Sequence, residues 1–168
     1  MNATTSAYLE GSDLSGADLA GVNLFNANLQ NANLSDADLS DADLEDAFLP
    51  DANLTGANLN GANLSWTTLE SAILTNATLV GANLSNANLY TAILIDADLT
   101  DANLTCESEV CDPFGPEPFY VSFMSANLTD VNLYGATLTG ATLTGVTWAN
   151  NICPDGTVTY PGTTPCST

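Results

Sequence analysis

A leucine stands on every fifth residue from Leu9 to Leu104 without a miss, twenty in one register. Two positions before each comes a small residue, mostly alanine, and between the two comes mostly Asn or Asp, as in Ala17-Asp18-Leu19 and Ala57-Asn58-Leu59. This period excludes a helix, because five residues turn about 500°, or about 140° net, and would scatter the leucines round the cylinder. A straight strand fails as well: five is odd, so alternate leucines would fall on opposite faces. What fits is a triplet plus a corner, with the small residue in, the polar residue out, leucine in, and two residues to turn the chain. The corner pairs suit that role, as in Glu10-Gly11, Ser15-Gly16, Ser35-Asp36, Ser40-Asp41, Thr55-Gly56, Asn60-Gly61 and Thr100-Asp101. A chain that bends the same way every five residues coils into a solenoid.

The tandem Ala-(Asp/Asn)-Leu-Xaa-Xaa pattern, seen in ADLSDADLEDAFLPDANLTGANLNGANLS, resembles the pentapeptide-repeat proteins. The resemblance implies an all-β fold, a right-handed quadrilateral parallel β-helix with four repeats per coil. On that register residues 20 apart stack and the twenty leucines make five coils. After Thr105 the pattern stops for a stretch with three prolines, then resumes at Val121-Ser122-Phe123, Ala126-Asn127-Leu128, Val131-Asn132-Leu133, Ala136-Thr137-Leu138, Ala141-Thr142-Leu143 and Val146-Thr147-Trp148. The expected organisation is an N-terminal lead (1–6), five coils (7–106), an inserted loop (107–120), a continuation (121–150) and a disulfide-looped C-terminal tail (151–168). That makes about six and a half coils, a rod roughly 30 Å long.

Charge narrows the function. The 168 residues hold 20 Asp plus Glu and no Lys, Arg or His, for a net charge of −20. No side-chain salt bridge within the chain can form, so stability has to come from packing, backbone ladders and disulfides. Nothing is present to neutralise phosphates, which argues against direct nucleic-acid binding and against attraction to an anionic membrane. No apolar run is long enough to cross a membrane, and the first residues carry no signal-peptide pattern. Without His, Lys or Arg there is no usual general base near neutral pH, no Schiff-base amine and no cationic oxyanion stabiliser, so the expectation is that this is not an enzyme.

The cysteines form two local pairs, Cys106 with Cys111 and Cys153 with Cys166, all outside the repeat core. Local disulfides are the simplest of three connectivities and point to an oxidising, extracellular compartment; zinc is the alternative, but the spacing lacks histidine and fits poorly. Sequons occur at Asn2, Asn33, Asn53, Asn63, Asn76, Asn83, Asn103 and Asn127 and are candidate N-glycosylation sites, although a repeat with Asn before Leu and Ser or Thr after it generates them unaided. Asp36, Asp38, Asp41, Asp43, Glu45, Asp46 and Asp51 crowd together; a solvated acidic face is the plain reading and a Ca²⁺ site the sharper one, with no calcium-binding loop pattern to support it. No other cofactor is expected.

Some outward positions are apolar. Ile73, Ile93 and Ile95, with Phe48, Pro50 and Tyr90 on the neighbouring face, form a candidate contact surface, and Phe25 and Trp66 sit near a further corner; a lateral interface with another copy is preferred, with cover by the Phe114 to Tyr120 loop as the alternative. The rod ends lack a capping helix, so end-to-end stacking would satisfy their open edges. Two functions follow. One is an extracellular, self-assembling structural subunit of fibre type, glycosylated at some of these sequons. The other comes from the resemblance: some pentapeptide-repeat proteins mimic B-form DNA and bind type II topoisomerases. The −20 charge suits the second, whereas the paired cysteines and the missing C-terminal helical module favour the first.

Overall fold

The computed structural model describes residues 6–105, 123, 126–129, 131–134, 136–138, 146–159 and 166. Its unit is the corner. Ala17 N–H donates to Leu14 O at 3.1 Å across Ser15-Gly16, and Gly16 has a φ of 64°. A positive φ at the third residue of such a turn is the mark of type II. The same bond closes each corner from Ser12 N–H to Leu9 O through Ala102 N–H to Leu99 O. Left-handed backbone costs most side chains roughly 1–2 kcal/mol, which is why Gly, Asn and Asp dominate the second corner position. Gly61 meets a further constraint, since a Cβ there would run into the Asp41 carboxylate lying over it from the preceding coil.

Four corners close one coil. The outward residue of each triplet pairs in parallel with the residue 20 further on, from Tyr8 with Asn28 through Asn83 with Asn103. Asn28 N–H donates to Ala7 O at 2.9 Å on one side, while Leu29 N–H donates to Phe48 O at 2.8 Å on the other. Each ladder contact is one residue long, because the chain turns away after three. Longer pairing occurs between β1 (Asn127–Thr129) and β2 (Thr147–Ala149), a parallel pair with Asn127 against Thr147.

The insertion does not disturb the stacking. Asp98 pairs with Asn132 and Asn103 with Thr137, 34 residues apart instead of 20, and Asn132 then pairs with Ile152 at the ordinary 20. Cys106, Cys111 and the rest of the expected loop, 107–120, lie outside the described residues. Ser6, placed in the lead by sequence, already stands in register, accepting from Asn26 Nδ2 at 3.0 Å.

The core is the leucine ladder. Every leucine of the series from Leu29 to Leu104 is fully buried, and the inward alanines fill the space between them. Burying one such leucine stabilises by roughly 1.5–3 kcal/mol. Leu9, Leu14 and Leu19 are only partly buried, since among the described residues their coil has a neighbour on one side.

At the other end the tail folds back along one column. Ile152 pairs antiparallel with Val158, Asn151 N–H donates to Thr159 Oγ1 at 3.0 Å, and a disulfide joins the buried Cys153 and Cys166 with Cα atoms 5.3 Å apart. Sequence expected a disulfide-looped tail here; over 151–159 it folds back along the Ile152 column, because the Asp155-Gly156 turn reverses the chain where a regular corner would continue the coil.

Candidate functional site

The four solvent faces are the only extended surfaces among the described residues, and each is a column of outward residues. Over residues 6–105 the first face reads Tyr8, Asn28, Phe48, Thr68, Asn88. The second reads Asp13, Asn33, Asn53, Ile73, Ile93; the third Asp18, Asp38, Asn58, Thr78, Asp98; the fourth Asn23, Asp43, Asn63, Asn83, Asn103.

Side-chain amides run up these columns as ladders. On the fourth face Asn103 Nδ2 donates to Asn83 Oδ1 at 3.0 Å, Asn83 to Asn63 at 3.2 Å, and Asn63 to Asp43 at 3.2 Å. Each Oδ1 also accepts the backbone N–H two residues on, as Asn63 does from Ser65 at 3.3 Å. An outward Asn thus caps its own corner and ties adjacent coils, which explains the preference for Asn or Asp at that position.

This bears on the sequons. Asn33, Asn53, Asn63, Asn83 and Asn103 all commit Nδ2, the atom a glycan would occupy, to the coil before them. Asn76 differs: it sits at a corner with φ 59°, is exposed, and its side chain makes no hydrogen bond among the described residues. Asn127 lies in β1, and Asn2 lies outside the described residues.

The acids are held in the same way. Asp38 accepts from Ser40 N–H at 3.0 Å and from Asn58 Nδ2 at 2.9 Å. The Ser40 hydroxyl first, then its amide, and Asn58 after them hold the Asp38 carboxyl below the usual 3.8. Asp13 is lowered by the Ser15 hydroxyl and amide, and Asp155 by those of Thr157. Among the described residues no group of three or more acids or cysteines is placed to hold a metal ion, so the Asp36 to Asp51 cluster forms no Ca²⁺ cage there. No helix is long and apolar enough to cross a membrane.

The expected apolar interface separates into parts. Phe48 and Tyr90 belong to the first face and its border, where Phe48 is 43% and Tyr90 41% exposed. Ile73 and Ile93 pair on the second face, with Ile73 exposed and Ile93 half-buried; Ile95 stands half-buried at the next corner, and Pro50 is buried. Sequence reasoning missed what the first face collects. All five aromatic residues of 6–105 stand on it or on its two bordering corners: Tyr8, Phe25, Phe48, Trp66 and Tyr90. The signal was available, since in a 20-residue coil these positions fall within one six-residue window.

The family model described as pentapeptide repeats matches in 8 copies over residues 5–41, 37–76, 74–105 and 120–146. No curated protein matches the chain. Among solved structures it is similar to HetL, a pentapeptide repeat protein involved in heterocyst differentiation regulation from the cyanobacterium Nostoc sp. strain PCC 7120, at 31% identity over 92% of this chain and 73% of that one, with a TM-score of 0.35. A pentapeptide repeat protein of the Arabidopsis thaliana thylakoid lumen is 35% identical over 56% of this chain and 69% of its own, with a TM-score of 0.31. QnrB1, a plasmid-mediated fluoroquinolone resistance protein, is 23% identical over 89% of this chain and 85% of its own, with a TM-score of 0.41.

Proposed function

The chain belongs to the pentapeptide-repeat family, and from that premise we propose that it is a non-catalytic structural or interaction protein, a self-associating acidic β-solenoid working in an oxidising compartment outside the cell. The observation that carries this reading is the disulfide-tied tail. Cys153 and Cys166 are both buried, and their bond holds the segment that closes the coil at Ile152. A cap that depends on a disulfide suits an oxidising setting and is poorly matched to a reducing cytosol. The absence of His, Lys and Arg supports the non-catalytic part, since it removes the usual general base near neutral pH, the Schiff-base amine and the cationic oxyanion stabiliser.

The tail pairs the coil edge at Ile152, which favours growth of a fibre through its sides over end-to-end stacking at this end. Glycosylation belongs to the same reading, with Asn76 as the accessible acceptor in the folded rod. The second reading, a DNA mimic that binds a type II topoisomerase, rests on the third face, where Asp18 and Asp38 stand one above the other on a rod without cations. One pair of measurements separates the two. Electron microscopy of the purified protein at low and moderate salt is expected to show self-associated particles, and a gyrase supercoiling assay is expected to be unaffected. Discrete monomers that inhibit gyrase would overturn the first reading in favour of the second.

A further inference from the structure

The corner at Asn60-Gly61 is tied to its neighbour differently from the other described corners. The amide of a corner's first residue is capped from two positions back, as Ser65 N–H is by Asn63 Oδ1 at 3.3 Å and Thr100 N–H by Asp98 Oδ1 at 3.0 Å. Val80 follows Thr78, which has no side-chain carbonyl to offer. Its cap comes instead from the preceding coil, where Val80 N–H donates to Asn60 Oδ1 at 2.8 Å. Gly61 N–H donates in turn to Val80 O at 3.0 Å. One residue of the fourth coil (67–86) therefore holds two neighbouring groups of the third (47–66), the Asn60 carboxamide through its N–H and the Gly61 amide through its C=O.

Those two groups react with each other when they are free. Asn60-Gly61 is the one place in the 168 residues where glycine follows asparagine, and glycine has no Cβ to hinder attack by its nitrogen. The Gly61 nitrogen forms a bond to Asn60 Cγ while its proton passes through solvent to the departing Nδ2, which leaves as ammonia. The five-membered imide then takes up one water molecule and opens at either carbonyl. One product is aspartate; the other is isoaspartate, in which the main chain runs through Cβ and Cγ and is one atom longer.

The fold opposes both requirements of this step. Gly61 N–H does not lose its proton while Val80 O accepts it, and the Asn60 carboxamide does not swing toward Gly61 while Oδ1 holds Val80 N–H. The type II corner adds a third restraint, because it turns the Gly61 nitrogen away from the Asn60 side chain. That corner is closed by Ala62 N–H to Leu59 O at 3.1 Å and fixed by the fully buried Leu59 and Ala62 on either side. Gly61 is exposed and Asn60 half-buried, so water reaches the site, and it is hydrogen bonding rather than burial that closes it.

We propose that Asn60-Gly61 is a spontaneous deamidation site that the solenoid keeps closed and that reacts when the fourth coil parts from the third. The product is permanent, so it records the opening. An isoaspartate at 60 leaves the corner one atom too long for Leu59 and Ala62 both to face inward, and a rod that has reacted no longer closes in its original register. This is independent of what the solvent faces bind.

Incubation of the full chain at mildly alkaline pH, folded and in denaturant, tests this. Cleavage after glutamate isolates residues 46–70, between Glu45 and Glu70, and electron-transfer fragmentation of that peptide separates aspartate from isoaspartate at 60. The folded chain is expected to deamidate at Asn60 about tenfold or more slowly than the unfolded one, by the same factor that protects the Gly61 amide from hydrogen exchange. Leu79→Ala, which leaves a cavity next to Val80, is expected to raise the folded rate several-fold and leave the unfolded rate unchanged. Where that variant does not fold, denaturant below the unfolding transition is expected to raise the rate of the parent in the same way. Equal rates in folded and unfolded chains overturn the proposal, as does a folded rate faster than Gly61 exchange allows. An unfolded chain that reacts first at another asparagine overturns it as well.

Discussion

Each residue of the repeat has one job set by its place in the triplet. Leu59 is fully buried, and Leu59→Ala is expected to cost roughly 2–5 kcal/mol through lost burial and the cavity left in a stack that cannot collapse sideways; chemical denaturation measures it. The outward neighbour looks replaceable on periodicity alone, yet Asn58 Oδ1 accepts Asn60 N–H at 3.2 Å and Thr78 Oγ1 at 3.3 Å, while Nδ2 donates to Asp38 at 2.9 Å. Asn58→Ser is therefore expected to cost about 1–2 kcal/mol in the same melts. Asp38 is the acidic counterpart. Because its folded carboxyl titrates below 3.8, it contributes stability that is present above the unfolded value and lost as pH falls through the folded one. Ser40→Ala removes the leading cause, so NMR titration is expected to find the Asp38 midpoint moved up toward 3.8.

At the scale of elements, the coil and its cap obey different rules. The coil was legible in part: a five-residue period, turn-forming pairs and inward leucines leave few solutions but a coil, whereas four repeats per turn, and so parallel ladders 20 residues apart, followed only from the resemblance to pentapeptide-repeat proteins. The cap was not legible, because Ile152-Cys153-Pro154 carries no periodic signal and its reversal depends on where the antiparallel bridge to Val158 falls. The disulfide closes a separation of 13 residues, which contributes about 3 kcal/mol to holding that segment. Replacing Cys153 and Cys166 with Ser is expected to raise amide exchange at 151–159 and leave the ladders of 27–105 protected. Loss of protection along the whole rod would mean that the cap nucleates the coil.

Across the whole molecule, the absence of cations sets the response to solvent. In a chain held by ion pairs, salt weakens stability; here only like charges face one another, so screening can only relieve repulsion. The melting temperature is expected to rise between about 10 and 300 mM NaCl, over which the screening length falls from about 30 Å to below 10 Å, and differential scanning calorimetry would show it. A falling melting temperature would mean that a bound cation, displaced by salt, holds the acidic faces together.

The sequence by itself determined the five-residue unit and that the chain coils, since turn-forming pairs bend it the same way after every triplet, and the charge, which no fold can alter. Residue order also contained the gathering of the aromatics on one face, but only as positions in a 20-residue cycle. The tertiary structure decided which of those positions share a face, which sequon nitrogens are consumed by the amide ladders and which column the tail folds back along. Those properties arise between coils, where residues 20 or 34 apart meet, and no local pattern encodes a contact made across that distance.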